Sequence, residues 1–280
     1  MLDAFVDGGF DTIDTADVYS AWAPGNVGGE SETIIGEWLR RRGGRDRVVI
    51  ATKVGWDQGE RGLNARHVAE AVDASLRRLG TDYVDLYQSH RDDPEVPLEE
   101  TLGAFARLIE QGKVRAIGCS QISAPRLREA LDVSARLGLP RYETLQPQYN
   151  LHDRAEFEAE LATLCREQEM GVICFFGLAA GFLTGKYRSA ADAEGKARGA
   201  RVRGYLNPRG FRILEALDAV SARTGASPAQ IALAWLMGRP GLTAPIASAT
   251  SVEQVREIMK AAELKLGAEA LAVLDEASKE

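Results

Sequence analysis

Residues 83–121 read YVDLYQSHRDDPEVPLEETLGAFARLIEQGKVRAIGCSQ, and they decide the fold. The spacing predicts a strand over 83–89, a helix over 98–111 and a second strand over 114–119. Both strands are near-continuous apolar runs, as expected of parallel strands covered on both faces. Strand–helix alternation of this kind indicates a parallel α/β fold.

The alternation continues in both directions. Upstream, strands are predicted at 11–15 and 48–54, with helices over about 30–42 and 64–79. Downstream, strands follow at 144–147, 171–176 and 243–248. Helices are predicted over about 124–137, 155–168, 210–224 and 228–238, with another from Ser251. Val68, Val72, Leu76 and Leu79 mark one face of the 64–79 helix, with Asn64 as N-cap and Gly80 at its end. Residues 177–206 read as a long loop, and the opening LDAFVDGGF as the end of a helix stopped by Gly8 and Gly9. Seven strands are visible where a closed barrel of this type has eight. The dinucleotide fingerprint GxGxxG after a first strand is absent, which removes the usual ground for a doubly wound sheet. The expectation is one domain over residues 1–280, a (β/α)8 TIM barrel lacking its first strand and shortened at the N-terminus.

The chain has 280 residues, 45% hydrophobic and 27% charged, ordinary values for a globular protein. At that length roughly three-quarters of the unfolded surface can be buried. A net charge of −7 leaves no basic excess to neutralise phosphates, which argues against a nucleic-acid partner. Cys119, Cys165 and Cys174 show no CxxC spacing and read as small core hydrophobes. No run approaches the ~18 apolar residues of a membrane span, and no signal peptide opens the chain. A cytoplasmic protein without membrane contact is expected, its oligomeric state left open.

Four proton-handling side chains fall at strand ends. Asp14 and Tyr19 lie in FDTIDTADVY (residues 10–19), Lys53 closes VVIATK and His90 closes YVDLYQSH. Barrel enzymes place their sites at the C-terminal ends of strands. A phenol titrates near pH 10 in water, and a neighbouring ammonium favours the phenolate. A carboxylate orients that ammonium, and an imidazole beside the phenol can donate or relay a proton. Together they suit protonation of an alkoxide as hydride reaches its carbon. Singly, each has a plainer reading: a turn aspartate, a loop aromatic, a solvated strand end, a satisfied core histidine. His90 has no partner at ligand spacing, so no metal is expected.

With DTADVY, ATK and DLYQSH in this order, the chain resembles the aldo-keto reductases, NAD(P)H-dependent carbonyl reductases on a (β/α)8 barrel. The resemblance implies that Asp14, Tyr19, Lys53 and His90 form the catalytic tetrad, with Tyr19 as general acid. It implies that Ser120, Gln121 and Gln146 contact the nicotinamide carboxamide, with Gln121 where the family has Asn, and that Phe175 stacks on the ring. FGLAAGFLTGKY resembles the family's pyrophosphate loop and brings in Phe176, Gly177, Leu178, Gly181, Leu183, Gly185 and Lys186. In APIASATSVEQ the resemblance implies that Ser248, Thr250 and Gln254 hold the adenosine end. Ser251 and Gln254 also have the spacing of a capping box. Thr250 stands where the family has a basic residue and Ile258 where it often has Asn or Asp. NADPH is the expected cofactor, with NADH open, and a small aldehyde or ketone the expected substrate. Trp22, Trp56 and Phe182 are candidate walls for it. The alternative is a cofactor-binding regulatory subunit like the potassium-channel β subunits, which share the fold.

Overall fold

The computed structural model describes residues 1–58 and 62–279. The chain divides into two compact units, one of Leu2 with Gly9–Gln146, the other of Met1, Asp3–Gly8 and Pro147–Glu280.

The first unit holds β1 (Thr12–Asp14), α2 (Glu30–Arg42), β2 (Val49–Val54), α3 (Ala65–Leu79), β3 (Val84–Ser89), α4 (Leu98–Glu110), β4 (Val114–Ser120), α5 (Ala124–Leu137) and β5 (Thr144–Gln146). The short opening helix α1 (Leu2–Asp7) belongs almost wholly to the second unit. Each strand of the first unit pairs in parallel with the next in chain order. Register aligns Lys53 with Gln88, Gln88 with Gly118, Gly118 with Thr144, and Ser120 with Gln146. A Cβ on Gly118 would lie 2.2 Å from Thr144 Oγ1 and 3.2 Å from Gln88 Cγ, so glycine alone fits between those side chains.

The helices begin and end where their caps dictate. Asn64 and Ser123 accept from the third residue after them, His67 N and Arg126 N, and Gly80 and Gly138 close α3 and α5 in the left-handed conformation. Val68, Val72, Leu76 and Leu79 are all buried, as the stripe predicts. Gly36 lets α2 approach α3: a Cβ there would meet Arg78 O at 2.2 Å. Beneath that crossing Glu32 is fully buried, accepting from Thr52 Oγ1 at 2.6 Å and pairing with Arg78 at 2.6 Å. Tyr87, Phe105 and Tyr142 meet edge to face in the core.

The second unit holds α6 (Ala162–Glu167), β6 (Gly171–Cys174), α7 (Gly199–Arg203), α8 (Pro208–Thr224), α9 (Pro228–Met237), β7 (Ala244–Pro245), α10 (Val252–Met259) and α11 (Ala268–Ala277). Strand β6 pairs in parallel with β7. The helix expected over 155–168 is divided, a wide turn at Phe157–Leu161 running into α6. The loop expected over 177–206 is corrected too: it contains helical turns at Ala179–Thr184 and Ala191–Ala193 as well as α7. Ser227 and Gln230 form a full capping box on α9. Trp235, fully buried on α9, donates to Asp275 at 2.9 Å, and the guanidinium groups of Arg154 and Arg239 lie 5.2 and 4.6 Å from its ring.

Seven parallel strands alternating with helices, among the described residues, give the pattern of a (β/α)8 barrel fold with one strand missing. All three cysteines are buried and unbridged. No helix among the described residues is long and apolar enough to cross a membrane.

Candidate active site

Asp14, Tyr19, Lys53 and His90 come together in the first unit. Lys53 Nζ donates to Asp14 Oδ2 at 2.6 Å, to Thr15 O at 2.8 Å and to Tyr19 OH at 3.1 Å, which uses all three ammonium hydrogens. The Tyr19 and His90 rings meet edge to face with centroids 5.7 Å apart. Because the phenol oxygen accepts from lysine, its own hydrogen is free to point elsewhere.

Burial decides the protonation states. It pushes the Tyr19 phenol above its ordinary value, against the lowering effect of Lys53, with Asp14 adding to the rise. The sequence expectation of a phenol lowered by lysine therefore holds for one force and fails for the balance. Burial alone would lower the Lys53 ammonium, but Asp14 and Tyr19 beside it turn the balance upward. His90 is brought down to about 3 by burial and by the Lys53 cation, so its ring is neutral at ordinary pH. Its Nδ1 is buried without a partner among the described residues.

Trp22 and Trp56 flank the group. Trp22 meets Tyr19 edge to face at 5.9 Å and is 75% exposed, while Trp56 tilts against His90 at 4.8 Å. Phe182 was expected as a third wall. It is instead fully buried and stacks on Tyr205 with centroids 5.6 Å apart.

Ser120, Gln121 and Gln146 lie in the same unit. Ser120 Oγ donates to Gln146 O at 2.8 Å, and Gln146 Nε2 donates to Asp14 Oδ1 at 2.9 Å and, more weakly, to Gln88 Oε1 at 3.4 Å. Gln121 sits in the left-handed region at φ +46° and donates through Nε2 to His90 O at 3.1 Å. Sequence reasoning passed over Gln88, a lone polar residue inside an apolar strand. That polar interruption was the available signal.

In the second unit the run Phe175–Lys186 turns sharply. Phe176, Ala179 and Ala180 have positive φ, unusual for residues with a Cβ, and Gly181 follows them at φ +95°. Asn150 Nδ2 donates to Phe176 O at 3.0 Å, and Arg201 lies 5.1 Å over the Phe176 ring. Gly177 answers to packing: a Cβ there would meet Leu236 at 3.1 Å. Leu183 is fully buried, Leu178 accepts from Gly181 N at 2.8 Å, Gly185 closes the turn at φ +79°, and Lys186 Nζ lies 5.1 Å over Tyr187.

The last stretch is held internally. Ser251 caps α10 through Gln254 N, while Gln254 Oε1 accepts from Thr250 N at 2.9 Å and Thr250 Oγ1 at 3.0 Å. The box expected from the S-x-x-Q spacing is thus shifted one residue outward on its glutamine arm. Arg198 donates to Ser248 Oγ at 3.4 Å.

A second polar cluster was not legible beforehand. Asp153 Oδ2 accepts from Gln148 at 2.6 Å, Tyr205 at 2.7 Å and Asn150 at 2.9 Å, and Oδ1 lies 3.2 Å from His152 Nδ1. It borders a cavity of about 360 Å³ that Phe176 and Arg201 also line.

A carboxylate, an ammonium, a phenol and a neutral imidazole thus stand together at the strand ends of a parallel α/β chain. The Aldo/keto reductase family profile matches residues 1–279, and the chain belongs to that family. It is 36% identical to a Schizosaccharomyces pombe protein named as a candidate voltage-gated potassium channel subunit beta, over 96% of this chain and 80% of that one. A similarly named Oryza sativa protein is 35% identical, over 93% of this chain and 80% of that one. The Bacillus subtilis oxidoreductase YrpG is 33% identical, over 99% of this chain and 85% of the relative.

Proposed function

We propose that this protein transfers hydride between NADP(H) and an aldehyde or ketone, with Tyr19 as the general acid that protonates the carbonyl oxygen. The observation that carries this reading is the Lys53 ammonium, which holds Asp14 and the Tyr19 hydroxyl in one bonded set beside a neutral His90. A phenol kept protonated by burial is an acid in waiting. His90 donates a hydrogen bond to the carbonyl oxygen, which stabilises the charge that develops there. When bound, the cofactor supplies the hydride. The polar set of Ser120, Gln121 and Gln146 is assigned to its carboxamide end, and the buried Nε2 of Gln88 beside Gln146 has no partner among the described residues. The roles expected of Phe175–Lys186 and of Ser248, Thr250 and Gln254 belong to the same reading. Trp22 and Trp56 favour an apolar or aromatic carbonyl compound.

The relatives named for potassium-channel subunits favour a second reading, a cofactor-binding regulatory subunit with little turnover. One experiment separates them: titration with NADPH by fluorescence, then a 340 nm assay on aromatic aldehydes. Binding with turnover supports the reductase. Binding without turnover supports the regulatory subunit, and no binding sinks both.

A further inference from the structure

Behind Asp14 and Lys53, the first turn of α2 reaches two threonines. Thr15 follows Asp14, Thr52 precedes Lys53, and both are fully buried. Thr15 Oγ1 donates to Ser31 Oγ at 2.8 Å, and Thr52 Oγ1 donates to Glu32 Oε1 at 2.6 Å. Neighbours on a strand point to opposite faces, so Thr52 faces α2 while Lys53 faces Asp14 and Tyr19. Thr15 also supplies the carbonyl that accepts from Lys53 Nζ at 2.8 Å. One helical turn thus holds the residues on either side of the lysine's bonds.

Glu32 is itself pinned. Its Oε2 accepts from Arg78 on α3, through Nε at 2.7 Å and Nη2 at 2.6 Å. Gly29, just before α2, lies against the same side chain: a Cβ there would be 2.6 Å from Arg78 Nε. A buried ion pair adds little net stability over packed apolar side chains, because both charges leave water. It does impose one geometry, since each of its bonds has a set direction. That geometry bears on the longest of the three Lys53 bonds, 3.1 Å to Tyr19 OH against 2.6 Å to Asp14 and 2.8 Å to Thr15. When the end of β2 shifts, the Tyr19 contact is lost first.

Resting on the reductase reading, we propose that Glu32 is a positioning residue for the reaction: held by Arg78, it anchors Thr52 and so keeps the Lys53 ammonium within reach of the Tyr19 hydroxyl. It touches neither substrate nor cofactor and acts only through the strand end that carries the lysine.

The test is the steady-state kinetics of NADPH-dependent aldehyde reduction, with NADPH titration alongside. Thr52→Val keeps the shape of the side chain and removes its hydroxyl. Its kcat should fall by about tenfold or more, while KM for the aldehyde and Kd for NADPH stay as in the wild type. Its alkaline decline of kcat/KM should also move to higher pH, because a phenol farther from the cation ionises less readily. Thr52→Ser returns the hydroxyl and should restore most of the turnover. Glu32→Gln leaves the Arg78 charge unpaired and can fail to fold, so the two threonine variants decide the matter. Full turnover in Thr52→Val, even with a lowered Tm, would overturn the inference alone. So would a loss of kcat that Thr52→Ser does not restore, or one with an unmoved alkaline limb. A wild-type chain that binds NADPH or not but never turns over would overturn it together with the reductase reading.

Discussion

Lys53 Nζ lies 3.1 Å from Tyr19 OH as its donor, while the lysine itself has no exposed surface. That direction matters chemically. An oxygen that accepts from an ammonium keeps its own hydrogen turned away from that nitrogen. Lys53 thus aims the phenol more than it ionises it, because burial still wins the balance at Tyr19. Tyr19→Phe keeps the ring and its contact with His90 and removes the hydroxyl, with it the transferable hydrogen and the third acceptor of Lys53. Carbonyl reduction should drop by about 10²–10⁴-fold, while NADPH binding stays as in the wild type. Retained turnover in a 340 nm assay would sink the assignment of Tyr19.

The pH profile should carry the same signature. With His90 near 3 and the Tyr19 phenol above its ordinary value, neither group changes charge across neutral pH. The kcat/KM for reduction should be level through the pH range where a free histidine titrates. It should decline only as the phenol ionises at high pH, since the acid form is the active one. Oxidation of an alcohol needs the phenolate and should rise over that same alkaline range. A reduction limb near pH 6.5 would show that His90 is protonated and the electrostatic account wrong.

Much of this was legible in the sequence, for identifiable reasons. Parallel strands buried on both faces appear as unbroken apolar runs, so β2, β3 and β4 were found to within a residue of their ends. Caps are written locally, which is why Asn64 and Gly80 marked α3 correctly. Lys53 and His90 could be placed because a charged or titratable residue ending such a run is conspicuous.

What stayed hidden depended on distant neighbours. Whether Phe182 lines a pocket or fills the core is decided by Tyr205, which lies 23 positions along the chain and stacks on it. The balance of burial against charge at Tyr19 is a three-dimensional sum. Gln146 could be expected to meet a ligand, but its bond to Asp14 spans 132 positions. Asp153 joins Gln148 and Asn150 to Tyr205, and nothing in either segment announces the other.

Cofactor preference should respond at Thr250. Its hydroxyl and amide both point to Gln254 Oε1, and no cationic side chain stands at the position itself. Thr250→Arg would supply a charged fork for a 2′-phosphate. The ratio of NADH to NADPH dissociation constants should increase by about tenfold, the size of one charge-assisted contact. An unchanged ratio in parallel fluorescence titrations would show that the phosphate lies elsewhere.

Acid stability should trace to Asp153. Side-chain donors from His152, Tyr205, Asn150 and Gln148 outweigh the effect of burial and bring its carboxyl from 3.8 to about 2. The folded group is more acidic than the unfolded one, so its contribution is complete above pH 4 and is lost as pH falls towards 2. The shift corresponds to about 2 kcal/mol. Asp153→Asn should be less stable than the wild type at pH 6 by about that amount, with the gap closing as both approach pH 2. Urea unfolding at a series of pH values measures it. A gap that stays constant with pH would mean that Asp153 matters for its shape and hydrogen bonds, and its charge does not.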